Sequence, residues 1–208
     1  MMKRTIAKGV LLVSLLDARA ALDFSGGTIP DSQNGGLVGV GFSGVVSTIP
    51  SGYDIISGLT LTLNISGGYN HDLYAYLAAP NGTLVQLFNQ PGSPYTSGSG
   101  FNIRLGDLYG AGIQSASQTE GVSLTGDYHA LGNFSDFNGG HANGTWTLFF
   151  QDLSPGGGAT TLDGWSLDIT AVPEPVNVAL GIFGGIALVG GAVRWSRKAK
   201  AETLKTGS

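Results

Sequence analysis

The chain has 208 residues, with 35 glycines, no cysteine and only 12% charged residues. That length leaves room for one domain of ordinary size once both ends are set aside as targeting segments, and none for a second, catalytic domain. The lack of cysteine excludes disulfides, thiolate metal sites and cysteine nucleophiles, so a packed core has to stabilise the fold.

Charge is segregated along the chain. Nine of the ten Lys and Arg residues lie in the first twenty positions or after residue 193, and Arg104 is the one between them. From residue 21 to 171 this single base faces ten Asp residues and Glu120, so the net charge of the stretch is about −10 (one minus eleven). Nucleic-acid binding needs clustered Lys and Arg, so this composition excludes a nucleic-acid partner and favours divalent cations.

Residues 1–20 have the plan of a signal peptide, with a basic start, a short apolar run at 10–16 and small residues at its end. The predicted cleavage-site residues are Ala18, Ala20 and Ala21. The alternative interpretation of this segment is an amphipathic N-terminal helix. Residues 21–52 then form the N-terminal strand region of the exported domain.

Apolar residues recur with a period of two through the middle of the chain, which places them on one face of a strand. The alternating stretches are 59–65, 73–77, 101–105, 146–150 and 165–169. A Pro-Asn-Gly turn at 80–82 predicts a hairpin between 73–78 and 83–88. Short strands divided by Gly-rich loops indicate an all-β fold of two packed sheets, a sandwich or jelly roll. Residues 106–131 have weak periodicity and receive no assignment.

Three strings of residues within this region carry a more specific pattern. They are Asp72-Leu73 leading to Leu77, Pro80-Asn81-Gly82-Thr83 and Leu87; Gly144-Thr145-Trp146-Thr147-Leu148 with Asp152; and Leu162-Asp163-Gly164-Trp165-Ser166-Leu167. Together they resemble the P domain (P/Homo B) of proprotein convertases. The resemblance implies a jelly-roll, galactose-binding-like β-sandwich over residues 53–171, of the kind found beside subtilisin-like catalytic domains. The Asp, His and Ser segments of a subtilisin do not precede it, so the resemblance implies no proteolytic chemistry.

Residues 176–193 contain no charge and, as a helix, span roughly 27 Å. A basic cluster and Trp195 follow at once, which is typical of the cytosolic side of a membrane helix. The basic residues are Arg194, Arg197, Lys198 and Lys200. The stretch therefore predicts a single C-terminal transmembrane helix over 176–193, and the alternative is a buried, Gly-rich core helix.

A Pro-Glu-Pro motif immediately precedes this stretch. Its residues are Val172, Pro173, Glu174 and Pro175. With the uncharged stretch and the basic cluster, residues 172–200 resemble the PEP-CTERM sorting signal, which implies processing by an exosortase in bacteria that make extracellular polysaccharide. Two prolines around Glu174 disfavour helix and strand, which predicts an extended, protruding segment that a protease can reach. Residues 201–208 form a cytoplasmic tail in this interpretation.

Candidate chemistry is sparse. His71, His129 and His141 are the only histidines, and no two of them have a spacing common in zinc sites, so they are interpreted as isolated surface or loop residues. No serine lies in a Gly-x-Ser-x-Gly elbow, and no pair of carboxylates stands out as a glycosidase pair. The sequence therefore predicts no catalytic residue and no enzyme activity.

Acidic and aromatic residues in the strand region are the remaining candidates. Asp72, Asp152 and Asp163 lie at strand starts or ends, where they are expected to accept backbone hydrogen bonds and fix turns. The alternative is a Ca²⁺ site, since no lysine lies within the region to pair with its acids; otherwise no metal or cofactor is predicted. Phase with apolar neighbours places Trp146 and Trp165 in the core. The tyrosines at 69, 74, 76 and 95 are candidates for surface contact.

These observations favour an exported, non-catalytic surface or extracellular-matrix protein with a structural or adhesive β-sandwich. It is expected to be held at the inner membrane with the domain outside the cytoplasm, and to reach the cell surface or matrix after processing. Signal peptidase and exosortase are the expected processing enzymes, and extracellular polysaccharide is a candidate partner. Two alternatives are a carbohydrate-binding module and an accessory domain related to subtilisin-like proteases. A hydrolase with an unrecognised site is a third.

Overall fold

The computed structural model describes residues 17–32, 38–93, 95 and 97–205. Within these ranges, nine strands form two sheets and a helix follows them. The strands are β1 (Ala18–Ile29), β2 (Gly39–Val46), β3 (Ile55–Gly67), β4 (Leu73–Ala78), β5 (Leu84–Asn89), β6 (Phe101–Leu105), β7 (Leu124–Tyr128), β8 (Gly144–Asp152) and β9 (Thr160–Val172). The helix, α1, spans Pro175–Lys205.

The two sheets have five and four strands. Their orders are β1-β9-β3-β6-β7 and β2-β8-β4-β5. Neighbouring strands are antiparallel except β6 and β7, which run parallel. The predicted all-β sandwich of two sheets is therefore confirmed.

The parallel pair explains the stretch that the sequence left unassigned. Parallel neighbours need a crossover connection, because the chain must return to the same end of the sheet. Residues 106–123 make this crossover and include a 3₁₀ turn at Ile113–Ser115. In the following strand, β7, Leu124 is buried and the next three residues are exposed. A strand with a single core-facing residue gives no alternating pattern, so periodicity could not reveal it.

The core lies between the sheets and is built from the residues that alternate inward. Leu61 and Leu63 of β3 are fully buried, as are the facing aromatic residues of the second sheet. Trp146 is 0% exposed and Trp165 is 2% exposed, which confirms that both indoles pack in the core. The Trp146 indole N–H donates to the carbonyl of Ala142 at 2.9 Å, so its polar atom is satisfied inside the core.

The hairpin predicted from the Pro-Asn-Gly turn is also confirmed. Strands β4 and β5 pair antiparallel, with Ala78 opposite Leu84. The Asn81 side-chain oxygen accepts the backbone N–H of Thr83 at 3.0 Å. Gly82 adopts φ +86°, the left-handed conformation that glycine enters without a steric cost.

Strand β1 forms one edge of the five-stranded sheet. It pairs with β9 along its length, from Ala18 opposite Ala171 to Ile29 opposite Thr160. The predicted cleavage residues Ala18, Ala20 and Ala21 are thus among the first residues of this strand. Residues 1–16, which carry most of the predicted signal peptide, lie outside the described residues, and the signal peptide stays a prediction.

A helix does occupy the stretch predicted to be helical at the C-terminus. Large apolar side chains along it are exposed, including Leu180 at 66%, Phe183 at 69% and Leu188 at 77%, so the alternative of a buried core helix is wrong. Within the described part of the chain, no helix combines the length and the apolar character needed to span a membrane. The predicted transmembrane span at 176–193 is therefore unsupported.

Candidate functional site

A small groove opens beside the short turn that leads into β4. Its volume is about 170 Å³. The side chains around it combine aromatic rings, carboxylates and a histidine: Tyr69, His71, Asp72, Tyr95, Ser97 and Glu120. We call this the tyrosine groove. Tyr95 is 88% exposed and Tyr69 is 43% exposed, so both rings are available to a partner, as predicted for surface tyrosines.

Paired glycines at the end of β3 create the turn that presents Tyr69. Gly67 and Gly68 have φ +72° and +65°. A Cβ on Gly67 would lie 2.3 Å from the carbonyl oxygen of Ala159, so a larger residue would both strain the backbone and clash. The chain then enters a 3₁₀ turn at Asn70–Asp72, which leads directly into β4.

Asn70 fixes the three loops that border the tyrosine groove. Its side chain is fully buried. The amide nitrogen donates to the carbonyl of Gly100 and to Gln118 Oε1, both at 2.9 Å, and the amide oxygen accepts the Gly100 N–H at 2.8 Å. The neighbouring backbone N–H of His71 donates to Ser97 Oγ at 3.1 Å. Because these contacts span loops far apart in sequence, the groove is held by the fold and not by local sequence.

Buried carboxylates lie behind the groove where β4 and β8 meet. Asp152 is 1% exposed, and its Oδ1 accepts the Ser154 N–H at 3.1 Å. The pKa of Asp152 is raised to about 6, chiefly by burial and also by the negative charges of Asp72 and Asp31, against the hydrogen bond from Ser154. Burial also raises the pKa of Asp72, which His71 and Ser154 partly offset. Burial, together with neighbouring negative charge, therefore disfavours the ionised forms of Asp152 and Asp72.

The predicted calcium candidates do not come together as one site. The Asp163 Oδ1 accepts a hydrogen bond from Ser66 Oγ at 2.9 Å, on the pair of strands β3 and β9. Among the described residues, no group of three His, Asp or Glu ligand atoms within 4.8 Å includes Asp72, Asp152 or Asp163. Asp152 instead accepts a backbone N–H and caps a turn, which is the structural role that the sequence predicted.

A larger cleft, of about 340 Å³, lies elsewhere on the five-stranded sheet. Its charged groups serve the fold. Arg19 and Asp168 form an exposed ion pair at 3.1 Å, and Asp107 accepts the backbone N–H groups of Phe134 and Ser135 at 2.7 and 2.6 Å. Arg19 also precedes the predicted cleavage position. The tyrosine groove, with its exposed rings and partly buried acids, is the better candidate site.

The three histidines have separate surroundings. His71 borders the tyrosine groove. His129 Nε2 lies 3.8 Å from Asp107, and His141 Nδ1 lies 3.2 Å from Asp54. Tyr74 and Tyr76, also predicted as surface contacts, lie outside the groove, and Tyr76 stacks on Phe149 with ring centroids 4.7 Å apart. Only two of the four predicted tyrosines, Tyr69 and Tyr95, therefore line the groove.

The Pro-Glu-Pro segment packs closely against the domain. Val172 is the last residue of β9 and lies opposite Ile55, and Pro175 begins α1. The Glu174 N–H donates to the carbonyl of Gly52 at 2.9 Å, and Glu174 is half-buried. The expectation of a protruding segment was wrong, because the last strand continues to Val172 and leaves only two residues before the helix. The basic residues Arg194, Arg197, Lys198 and Lys200 fall in the C-terminal half of α1.

Glu120 and Ser97 of the groove, and Asp31 behind it, were not among the sequence candidates. They come from loops that reach the groove only through long-range pairing, such as the Gly121 N–H to Ser97 carbonyl bond at 3.3 Å. No spacing or motif connects them. The Gly-rich stretches beside them indicated loops, but not which loops are neighbours.

Two solved structures show fold-level likeness to this chain. One is the complex of the Aeromonas sobria serine protease with its chaperone ORF2, at 18% identity and a TM-score of 0.46, covering 81% of this chain and 29% of that one. The other is the A. sobria serine protease, at 15% identity and a TM-score of 0.44, covering 79% and 28%. This chain thus spans less than a third of the length of those proteins.

No curated protein matches the chain significantly. The family model of the proprotein convertase P-domain matches residues 56–169, from β3 to β9. The matched segment includes the three strings that resemble this domain and the entire groove. Because it covers more than half of the 208 residues, this chain belongs to the proprotein convertase P-domain family.

Proposed function

We propose that this chain is a non-catalytic accessory module of the P-domain family, which acts by binding a protein partner through the tyrosine groove. The family match over residues 56–169 is the observation that carries the proposal. We expect the partner to be a subtilisin-like protease, because the matching family is that of the proprotein convertase P-domain. In this proposal the module provides a binding surface, and the catalytic activity belongs to the partner.

The charge and shape of the groove support a partner with a basic surface. Asp72 and Glu120 border the groove, and the domain from residue 21 to 171 carries about −10. A surface of this charge accelerates encounter with cationic loops and repels acidic proteins. Tyrosine is also among the residues that dominate protein interfaces, because its ring buries a large area at a small entropic cost.

The experiment is a binding assay with the purified chain and variants of the groove. The chain is immobilised and exposed to extracytoplasmic proteins from its host, and bound proteins are identified by mass spectrometry. Tyr69→Ala and Glu120→Gln are expected to weaken capture of a basic protein at least about tenfold, as for interface anchors. Tyr53→Ala is the matched control, because Tyr53 is 42% exposed, close to the 43% of Tyr69, and lies outside the groove.

Retention of the same partner by Tyr69→Ala and Glu120→Gln, at the affinity of the unchanged chain, contradicts the proposal. The proposal is also contradicted if Tyr53→Ala weakens binding as much as the groove variants do. Raising the salt concentration is expected to weaken the interaction, since charge attraction contributes to it.

A second candidate function is carbohydrate binding. Tyr69 and Tyr95 are exposed beside carboxylates in the groove, and this combination of ring faces with hydrogen-bond acceptors suits a sugar ligand. Extracellular polysaccharide is the ligand class that the sorting motif implies. Binding of the chain to a glycan array, lost in Tyr95→Ala but kept in Tyr53→Ala, favours this function over the protein partner.

The same proposal includes export. The leader-like residues 1–20 and the resemblance of residues 172–200 to a PEP-CTERM signal support cleavage by signal peptidase and by an exosortase, with final placement at the cell surface or in the matrix. The domain between them is acidic and lacks cysteine, so it depends on neither disulfides nor a reducing compartment.

A further inference from the structure

Three segments far apart in sequence meet where the domain joins its C-terminal helix. The Ile56 N–H donates to the Gly140 carbonyl, and the Gly139 N–H donates to the Ile56 carbonyl, both at 2.9 Å. The Ala142 N–H donates to the Asp54 carbonyl at 2.7 Å. These bonds fix the loop that carries His141 beside the start of β3.

The linker before α1 is hydrogen-bonded to the segment that contains Asp54. The Glu174 N–H is bonded to the carbonyl of Gly52, two residues before Asp54. The Glu174 carbonyl accepts the N–H groups of Asn177 and Val178 at 3.0 and 3.2 Å, which anchors the residue at the start of the helix. The backbone therefore places Glu174 beside Asp54 and His141.

The side chains of these residues present three ligand atoms at one point. One oxygen each from Asp54 and Glu174 and one ring nitrogen of His141 all lie within 4.8 Å of one another. The His141 Nδ1 to Asp54 Oδ1 distance is 3.2 Å. Ligand atoms on a tetrahedral zinc ion are about 3.3 Å apart, so the first pair already has this separation. The separations from the Glu174 oxygen to the other two ligand atoms are at most 4.8 Å.

The charges of the cluster are not balanced by the protein. Two carboxylates face one histidine, and among the described residues no Lys or Arg forms an ion pair with Asp54 or Glu174. Asp54 is 7% exposed, so its charge is largely removed from water. A buried carboxylate without full compensation is costly, and a divalent cation neutralises both carboxylates at once.

The side chain of Asn143, beside the cluster, has one polar atom without a hydrogen-bond partner. The Asn143 amide nitrogen donates to Asp54 Oδ2 at 3.2 Å and to the carbonyl of Ile49 at 2.9 Å. The oxygen of the same amide is buried and accepts no hydrogen bond. An unsatisfied acceptor next to the carboxylates is suited to a water molecule that completes the coordination of a metal ion.

We infer that Asp54, His141 and Glu174 bind one divalent transition-metal ion of the zinc class. A mixed set of one imidazole and two carboxylates suits zinc, whereas Ca²⁺ and Mg²⁺ prefer oxygen ligands alone. Asp54 is the rigid, buried ligand, and the His141 side chain is 62% exposed, which gives the ion a path from solvent. The bound ion fastens the Pro-Glu-Pro linker to the sandwich.

The test is a calorimetric titration of the full chain, without any affinity tag, with zinc chloride alone. The expected result is one zinc ion per chain and an affinity that falls at least about tenfold in His141→Gln and in Glu174→Gln. His129→Gln is the matched control, because His129 lies near a single carboxylate outside the cluster. Both ligand variants change half-buried or exposed side chains, and thermal unfolding without zinc checks that they fold.

A second readout is Co²⁺ substitution, for which absorption bands of a four-coordinate nitrogen and oxygen site are expected and should disappear in His141→Gln. The inference is overturned if zinc does not bind, if His141→Gln binds it unchanged, or if His129→Gln removes the binding. Displacement of zinc by a modest excess of Ca²⁺ overturns the assigned metal class. None of these outcomes depends on what the tyrosine groove binds.

Discussion

Asp152 has a buried carboxylate whose pKa is raised to about 6, so the folded protein binds this proton more tightly than the unfolded chain does. Its contribution to stability is therefore fully present below the unfolded pKa and is lost as the pH rises through about 6. At neutral pH the charged Asp152 is repelled by Asp72 and Asp31. The hydrogen bond from Ser154 only partly compensates.

Asp152→Asn is expected to stabilise the protein at pH 7.5 by about 1 kcal/mol, a value reduced from the full shift because solvent screens part of the effect. The amide oxygen still accepts the Ser154 N–H, so the turn is preserved. The gain should shrink toward pH 5, where the wild-type carboxyl is largely protonated. Urea unfolding at both pH values measures it.

Asp163→Asn is the control for this measurement, because Asp163 is exposed and has a single hydrogen bond, from Ser66. A pH-independent difference between wild type and Asp152→Asn contradicts the proposed burial effect. The same measurement in Ca²⁺ and in EDTA tests the calcium hypothesis, which stays a prediction. Its signature is stabilisation of the wild type by Ca²⁺ and loss of that stabilisation in Asp152→Asn.

At the scale of elements, strand β1 overlaps the predicted signal-peptide cleavage site. Cleavage before Ala21 leaves the strand paired with β9 from Ala21, opposite Asp168, to Ile29. It also keeps the Phe24 ring against Trp165, with ring centroids 4.4 Å apart. A mature chain that starts at Ala21 therefore retains the contacts that cover this edge of the core.

A chain that starts at Ala21 is expected to unfold cooperatively, within about 1 kcal/mol of a chain that starts at Asp17, because only partly buried alanines and Arg19 are lost. A chain that starts at Asp31 lacks β1 and should be destabilised by several kcal/mol, since Phe24 and Ile29 leave the core and β9 becomes an exposed edge. Thermal and urea unfolding compare the three. Equal stability of the Asp31 and Ala21 chains contradicts this role of β1.

Strands that bury every second side chain were predictable one by one, whereas β7 was missed, and β1 and β2 were predicted only as an undivided strand region at 21–52. In β3, Leu59, Leu61 and Leu63 alternate with polar residues, and the pattern in the sequence is the pattern of burial in the fold. In β7 only Leu124 is buried. In β1 most side chains are only partly buried, and both strands lie at the edges of the five-stranded sheet. Hydrophobic periodicity in a sequence reflects which side chains are buried. An edge strand with few buried side chains therefore shows only a weak alternating pattern.

The candidate sites were less predictable than the strands, for a related reason. The tyrosine groove joins Tyr69, Tyr95 and Glu120 from three loops, and nothing in their spacing indicates that these loops touch. His141 was interpreted as an isolated residue, because Asp54 becomes its neighbour only through hydrogen bonds between residues 139–142 and the start of β3. Glu174 joins them only through the pairing of β3 with β9. The Asn81-Gly82 pair predicted its own turn from local sequence. Sites made of residues far apart in sequence could be identified only from the three-dimensional fold.

At the scale of the whole molecule, the chain is an acidic P-domain sandwich, and all of its Lys and Arg residues except Arg104 lie near the two ends. Under the proposed function, this distribution would attract a partner with a basic surface. The Pro-Glu-Pro motif lies between the sandwich and α1, hydrogen-bonded to the loop before β3. If an exosortase cleaves at this motif, the Glu174 N–H to Gly52 hydrogen bond has to open first, so the proposed metal ion would slow cleavage.

The most direct test of the proposed role outside the cytoplasm is the intact mass of the protein recovered from its host, measured separately in the cytosolic, membrane and extracellular fractions. The account predicts a chain that begins at Ala21, ends near Pro173-Glu174-Pro175 and is found outside the cytoplasm. Recovery of the uncut 21.3 kDa polypeptide from the cytosolic fraction alone would contradict it.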